Sequence, residues 1–262
     1  MPAKGATTIR PEAPVQEPRI VGGRAARGVL VRAASFSYRS RRGPVEALAG
    51  MSLRAAPREI VTVVGPSGCG KSTLLELICG LRRPAAGHVE TDPAVYMPQR
   101  DLLLPWSSAL DNAALPLVVA GSSRAQARAR ARPLFAQLGL GGFEPAMPHE
   151  LSGGMRQRVA FLRTLLSGKP VLALDEPFAA LDALTRAQMQ TWLADALARE
   201  PRTVVLVTHD VEEAVVLGDR VVVMSPRPGS NVAELAVDLA RPRSRTDVAV
   251  VRLRERALEG LA

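Results

Sequence analysis

The sequence predicts an α/β fold: a parallel sheet covered by helices, with a small antiparallel β subdomain and an inserted helical subdomain. Three observations lead there. The nearly continuous apolar runs "EIVTVV" (59–64), "VLALD" (171–175) and "TVVLVTH" (203–209) read as strands buried on both faces. Between the last two, "ALTRAQMQTWLADALARE" reads as a helix, giving the β-α-β rhythm of a parallel sheet. A glycine-rich turn, "GPSGCGKST" (65–73), joins the first run to a helical segment.

Bulk properties fit one large domain. The chain has 262 residues, 47% of them hydrophobic and only 3% aromatic, so Leu, Val and Ala must build the core. Formal net charge is +9, carried almost wholly by Arg, since Lys occurs only at Lys4, Lys71 and Lys169. A basic balance suits nucleic acid, anionic lipid heads or a phosphate ligand, or is simply a solvated surface. Cys69 and Cys79 fall about three turns apart on one loop and helix, too far to pair. That points to a reduced, cytosolic chain without a disulfide framework. No apolar run approaches the ~20 residues that span a bilayer, and "MPAKGATTIRPEAPVQEPR" has no apolar stretch to act as a signal peptide. The expectation is a protein kept inside the cell, with any membrane role peripheral.

In chain order, residues 1–27 are rich in Pro, Ala, Gly and charge and read as a flexible tail. "GVLVRAASFSY" and "VEALAGMSLRA" follow as strands of the small sheet. After the glycine-rich turn, Leu74, Leu75, Ile78 and Cys79 keep helical spacing and Gly80 can close the helix. A stretch from about 100 to 166 reads mostly helical. Within it Arg124, Arg128 and Arg132 share a helix face, which is either a binding stripe or, more simply, a solvated face. Pro133 is expected to kink or restart that helix. "DRVVVM" and "VAELAVDL" add late strands, and 241–262 is an Arg-rich tail with one short helix. The main domain is thus placed at 28–240.

The turn Gly65-x-x-x-x-Gly70-Lys71-Ser72 matches the P-loop pattern, in the strand–loop–helix setting its chemistry requires. Its glycines let successive backbone N–H groups turn inward on phosphate oxygens, and the helix adds its positive N-terminal end. The fold is therefore expected to be a P-loop NTPase core. Nucleotide phosphates fall to Gly65, Pro66, Ser67, Gly68, Cys69, Gly70, Lys71, Ser72 and Thr73. Lys71 would bridge the β and γ phosphates, and the Ser72 hydroxyl would ligate Mg²⁺. Asp175 ends an apolar strand and can hold the same Mg²⁺. Glu176 comes next, toward the γ-phosphate, where a carboxylate can act as general base on water. Acids at the end of a buried strand are costly without such a role.

Between loop and acid lies "LSGGMRQR" (151–158), where Ser152, Gly153 and Gly154 open a second helix fit for an anion. One nucleotide does not need two cradles from one chain, so two chains meeting head to tail would explain it. This constellation resembles the ATP-binding subunit of ATP-binding cassette (ABC) transporters over about residues 28–240. The resemblance implies ATP and Mg²⁺ as cofactors and further site residues. Tyr38 stands where the family stacks an aromatic on adenine. Gln99 in "YMPQR" stands where a glutamine senses Mg²⁺ and touches the membrane partner. Asp182 in "AALD" matches the loop facing the opposite subunit, and His209 in "VTHD" matches the histidine that meets the γ-phosphate. His88 and His149 have no such match. Ala179 departs from the Ser or Gly common before "ALD", which puts one inter-subunit hydrogen bond in doubt, and Leu162 and Thr164 replace small residues on the helix after the signature.

"QRDLLLPWSSALDNAALPL", with Asp111 and Asn112, is similar to the ATPases of nitrate, sulfonate and taurine importers; "THDVEEAVVLGDRVVVMS" and "VDLARPR" agree. A thiamine-precursor pyrimidine also suits this branch. That likeness implies a prokaryotic ATPase lying peripherally on the cytoplasmic face of the inner membrane. Its partners would be a second copy, a separate permease and, indirectly, an extracytoplasmic solute-binding protein, with no nucleic acid. Trp106 would then be a permease contact or a buried anchor. The chain ends soon after 257, without the appended regulatory domain of some sugar and metal importers. A non-transport ABC ATPase, membrane-associated or working with nucleic acid, is the alternative. One P-loop, one LSGG and no sustained heptad weigh against the soluble form.

Overall fold

A computed structural model describes residues 20–21, 24–25, 27–41 and 43–261. Residues 1–19 of the expected tail lie outside the described residues. Two short strands, β1 (Ile20–Val21) and β2 (Arg24–Ala25), pair antiparallel. Then come β3 (Val29–Ser40) and β4 (Gly43–Ala55), the two long strands of the small sheet, and the buried strand β5 (Ile60–Val64). Helix α1 (Lys71–Ile78) starts directly from the glycine-rich turn. Strands β6 (Ala86–Thr91) and β7 (Ala94–Met97) lead to helices α2 (Ala109–Val119), α3 (Arg124–Gln137) and α4 (Gly153–Leu165). The rest alternates: β8 (Val171–Asp175), α5 (Ala183–Arg199), β9 (Thr203–Thr208), α6 (Val211–Leu217), β10 (Arg220–Met224), β11 (Asn231–Ala236) and α7 (Val248–Glu259).

The main sheet has the order β11-β10-β5-β9-β8-β7. Every pair in it is parallel except β10–β11. Strands β5, β8 and β9 are buried at every residue, as strands covered on both faces must be. Alternation divides their side chains. Leu172, Leu174, Val204 and Leu206 join the core under α2 to α5. Val171, Ala173, Val205 and Val207 join the core shared with α1 and the antiparallel sheet β4-β3-β6. A third cluster under α6 and α7 holds Val64, Val221 and Val223, together with Val250 and Ala257 of the Arg-rich tail. That helix is packed against α6 and β11.

Helix starts follow side-chain chemistry. Ser108, Ser123, Ser152, Asp182, Asp210 and Asp247 cap α2 to α7, each accepting an N–H from the first turn. At the end of α1, Gly80 (φ +69°) and Leu81 return their N–H groups to Leu77 and Glu76, so Gly80 closes the helix as its position predicts. The expected restart at Pro133 does not occur: α3 runs unbroken to Gln137. Its buried residues Ala127, Ala131 and Phe135 hold that face onto the core, and tertiary packing of this kind outweighs one lost backbone bond.

Register sets the location of the chemistry. Val64 lies opposite Thr208, Asp175 opposite Val207, and Met97 opposite Leu174. The loops after β5, β7, β8 and β9 therefore open along one edge of the sheet. In open α/β sheets that carboxyl edge is where ligands bind.

Candidate functional site

The glycine-rich turn wraps around its own lysine. Lys71 is buried, and its ammonium donates to Gly65 O at 2.7 Å and Pro66 O at 3.0 Å. These two carbonyls hold the cation at the loop. Gly70 has φ +107°, and a Cβ there would lie 2.6 Å from Ala47 O, so only glycine fits. Pro66, Ser67, Gly68 and Ser72 are exposed along the turn, while Gly65, Cys69 and Thr73 are buried beneath it. Burial pushes the Cys69 thiol up, leaving it a neutral packing group. Both cysteines are free.

Three neighbouring strand ends supply acid, amide and imidazole. Asp175 ends β8 and is buried; desolvation raises its carboxyl, opposed by hydrogen bonds from Ser72 and Tyr96. The Tyr96 hydroxyl donates to Asp175 Oδ2 at 3.0 Å. Ser72 and Asp175, expected to share a metal, are thus close enough for the Ser72 hydroxyl to lower the Asp175 carboxyl. Glu176 follows at φ +46°, a left-handed conformation uncommon for a residue with a side chain. Its N–H is held by Val207 O at 2.9 Å, which locks that turn against β9. Its Oε2 then takes Gln99 Nε2 at 3.0 Å and faces His209 Nδ1 at 3.2 Å. Two residues from two further loops thus converge on one carboxylate oxygen of Glu176.

Tyr38 lies above the first turn of α1. Its hydroxyl meets Thr73 Oγ1 at 2.9 Å and donates to Glu76 at 3.3 Å. Arg82 stacks on its ring, 4.8 Å from the centroid, and Phe36 meets it edge-on. Ser152, Gly153 and Asp182 are exposed and Gly154 half-buried, away from any contact with the P-loop. Ser152 accepts Met155 N–H at 3.2 Å, and Asp182 accepts Thr185 N–H at 2.9 Å, the bond that lowers its carboxyl. The two helix starts, α4 and α5, are coupled: a Cβ on Gly154 would touch Leu181, and Gln157 donates to Pro177 O. Ala179 is exposed and Leu162 and Thr164 are buried; Thr164 returns its hydroxyl to Ala160 O.

The "LLPW" loop is built around Asn112, fully buried. Its amide donates to Leu104 O, Ser107 O and Ser108 O, and its carbonyl accepts Leu104 N–H at 2.7 Å. This fixed loop leaves Trp106 74% and Leu102 55% exposed, which excludes the buried-anchor role for Trp106. Beside it, Gln99, Asp101, Leu102, Gly153 and Arg156 line an open cavity of about 450 Å³. Arg156 of α4 reaches Asp101 at 3.0 Å, and Arg163 donates to Asp101 O and Leu102 O. The helix that follows Ser152 is thereby tied to the loop that follows Gln99. Arg128 of the Arg stripe is paired with Asp111 by two bonds of 2.7 Å.

The model of the ABC transporter family matches residues 48–179, from the P-loop's approach through Glu176. The chain belongs to the ABC transporter family. It binds and hydrolyses ATP. The ABC ATPase is 45% identical over 216 residues to the taurine import ATP-binding protein of Burkholderia thailandensis, covering 79% of this chain and 83% of that one. It is 47% identical over 218 residues to an aliphatic sulfonates import ATP-binding protein of Rhodococcus jostii, covering 80% and 85%. In fold it is similar to a dimeric ATP-binding cassette solved in a post-hydrolysis state with ADP and Pi. There the TM-score is 0.74 and identity 29%, over 81% of this chain and all of that chain.

Motif reading missed several residues of this ABC ATPase. Tyr96 sits inside a strand pattern, with nothing in its spacing to mark a contact with Asp175. Gly229 comes from the loop after β10; its N–H bonds Ala47 O, and a Cβ there would lie 2.1 Å from Cys69 O. It supports the P-loop from behind. Only the "PRPGS" turn composition hints at it.

Proposed function

We propose that this chain is the ATPase subunit of a prokaryotic importer, energising uptake of a small solute of the nitrate, sulfonate or taurine class through a separate permease. The observation that carries the hydrolytic part is the convergence of Gln99 and His209 on Glu176 at the strand edge that bears the P-loop. The import part rests on similarity to the taurine and sulfonate import ATP-binding proteins.

In this account Lys71 exchanges its two carbonyl partners for β- and γ-phosphate oxygens. The backbone N–H groups of residues 65–73 and the start of α1 take the remaining phosphate charge. Tyr38, above the first turn of α1, offers its ring to adenine. Ser72, Asp175 and the Gln99 side-chain oxygen form an all-oxygen donor set suited to Mg²⁺, with Ser72 beside Asp175. Bound there, Mg²⁺ would neutralise phosphate charge. Glu176 accepts the proton of the attacking water, and His209 orients the γ-phosphate. The exposed Ser152, Gly153, Gly154 and Asp182 close on the nucleotide of a second copy facing head to tail. The dimeric cassette with ADP and Pi supports that arrangement.

Trp106, Leu102 and the cavity beside Gln99 offer the face on which a permease helix docks. The Arg156–Asp101 and Arg163 bonds would carry its movement to the signature helix. Among the described residues no helix is long and apolar enough to cross a membrane, consistent with a peripheral position on the inner membrane's cytoplasmic face. A solute-binding protein would be met only through the permease. The domain limits 28–240, with helical subdomain 100–166, suit this assignment.

The test is recovery of the tagged chain from native membranes in mild detergent. A multi-span permease in stoichiometric amount is expected. Recovery only from the soluble fraction, with RNA or ribosomal proteins, would overturn the import role and leave the ATPase chemistry intact.

A further inference from the structure

His209 is far more exposed than Glu176, with a side chain 63% accessible, yet it must meet a phosphate reproducibly. Its backbone turn is unusually well held. Thr208 Oγ1 accepts Asp210 N–H at 3.0 Å, and Asp210 Oδ1 accepts the N–H groups of Glu212 and Glu213 at 2.9 and 3.1 Å. Thr208 also lines one small cavity together with Glu213, which is 4% exposed. None of the residues beneath His209 belongs to the P-loop, the signature or the permease face.

The chain of bonds continues outward. Gln190 of α5 is buried; its Nε2 donates to Glu213 Oε2 at 2.9 Å. Its Oε1 accepts Arg245 Nη2 at 2.6 Å. Arg245 also pairs with Glu212 at 3.3 Å, on the first turn of α6. The segment bearing Arg245 is itself anchored. Arg243, almost wholly buried, donates to Val215 O, Val237 O and Leu239 O, and Arg241 donates to Leu217 O. Alternate arginines 241, 243 and 245 thus strap the end of the chain across α6. A cavity of about 10 Å³, room for about one water, is lined by Glu213 and Thr208 together with Glu176 and His209.

We propose that Glu213 is a positioning residue for His209, and that the Arg241–Arg245 strap sets it through Arg245, Gln190, Glu213 and Asp210. The strap thereby gives the C-terminal segment control over hydrolysis without contacting nucleotide. This rests on the assignment of His209 to the γ-phosphate. Buried polar chains of this kind hold one geometry because leaving a buried polar group unpaired is costly.

The test uses the full-length chain with Arg245→Ala, Arg245→Lys and Gln190→Leu, alone and with His209→Ala. MgATP hydrolysis is measured as kcat and KM, and the His209 imidazole is followed by NMR beside His88 and His149. Arg245→Ala and Gln190→Leu should each lower kcat about tenfold with KM nearly unchanged. Arg245→Lys should restore part of the rate, and neither loss should persist in the His209→Ala background. The His209 resonance should move while those of His88 and His149 stay. Losses equally large without His209, or an unmoved His209 resonance, would overturn the proposal. If His209 moves but His209→Ala hydrolyses ATP normally, the positioning stands and the γ-phosphate assignment falls.

Discussion

Replacing Asn112 with Ala tests whether the "LLPW" loop is held by one side chain. The amide makes four hydrogen bonds, but truncation does not orphan every partner. Leu104 O retains Ser107 N–H, and Ser108 O retains Asn112 N–H. Leu104 N–H and Ser107 O depend on the side chain. Losing the partner of a buried polar group costs about 1–3 kcal/mol, and both groups are only half-buried, so water recovers some of it. The expected loss is therefore about 2–4 kcal/mol. Asn112→Asp keeps the acceptor for Leu104 N–H but turns a carboxylate on three carbonyl oxygens, so it should cost at least as much. Urea unfolding of the isolated subunit would measure both. Basal ATPase should survive in the fraction still folded, since Asn112 touches no P-loop residue, while permease-stimulated activity should fall. A loss below about 0.5 kcal/mol for both variants would show that the loop is held by something other than Asn112.

Three further outcomes follow from the same contacts. Tyr96→Phe removes one donor from buried Asp175; the Mg²⁺ dependence of hydrolysis should shift about five- to tenfold to higher concentration, and an unchanged curve would refute a role for Tyr96. Gly229→Ala sets a Cβ 2.1 Å from Cys69 O, so the P-loop must move; ATP affinity should drop about tenfold or more in calorimetry, and native affinity would contradict the supporting role. Glu213 carries a carboxyl pushed by burial from 4.5 to about 7. Its folded value lies above its unfolded one, so stability falls as pH rises from about 4.5 to about 7 and stays lower above that. Glu213→Gln removes that penalty. Compared with its effect at pH 5, it should favour the folded state at pH 8 by on the order of 3 kcal/mol, and a pH-independent effect would refute the shift.

Much of this molecule was legible in its sequence because the signals were local. Continuous apolar runs marked β5, β8 and β9, since strands covered on both faces tolerate few polar residues. Glycine spacing marked the P-loop, and at Gly70 a positive φ and Ala47 O leave no room for a Cβ. Ser152 ahead of its helical stretch marked the start of α4. What escaped depends on contacts between distant segments. Tyr96 reaches Asp175 across 79 positions, and Arg245 reaches Gln190 across 55. Gly229 is needed only because the chain returns behind Cys69. Pro133 misled for the opposite reason: a local penalty was outweighed by the buried face of Ala127, Ala131 and Phe135. The exposure of Trp106 was also open until Asn112 was seen to hold its loop from inside.

The central claim is that Glu176, gripped by Gln99 and His209, takes the proton from water at the P-loop edge. Glu176→Gln keeps the shape and the amide contacts but removes the base. Single-turnover hydrolysis of MgATP, measured with nucleotide binding and dimer formation on the same sample, tests it most directly. The account predicts that ATP still binds and holds two copies together, while hydrolysis slows by about 10²–10⁴-fold. Hydrolysis near the wild-type rate with ATP bound would contradict it, and the base would have to be sought elsewhere.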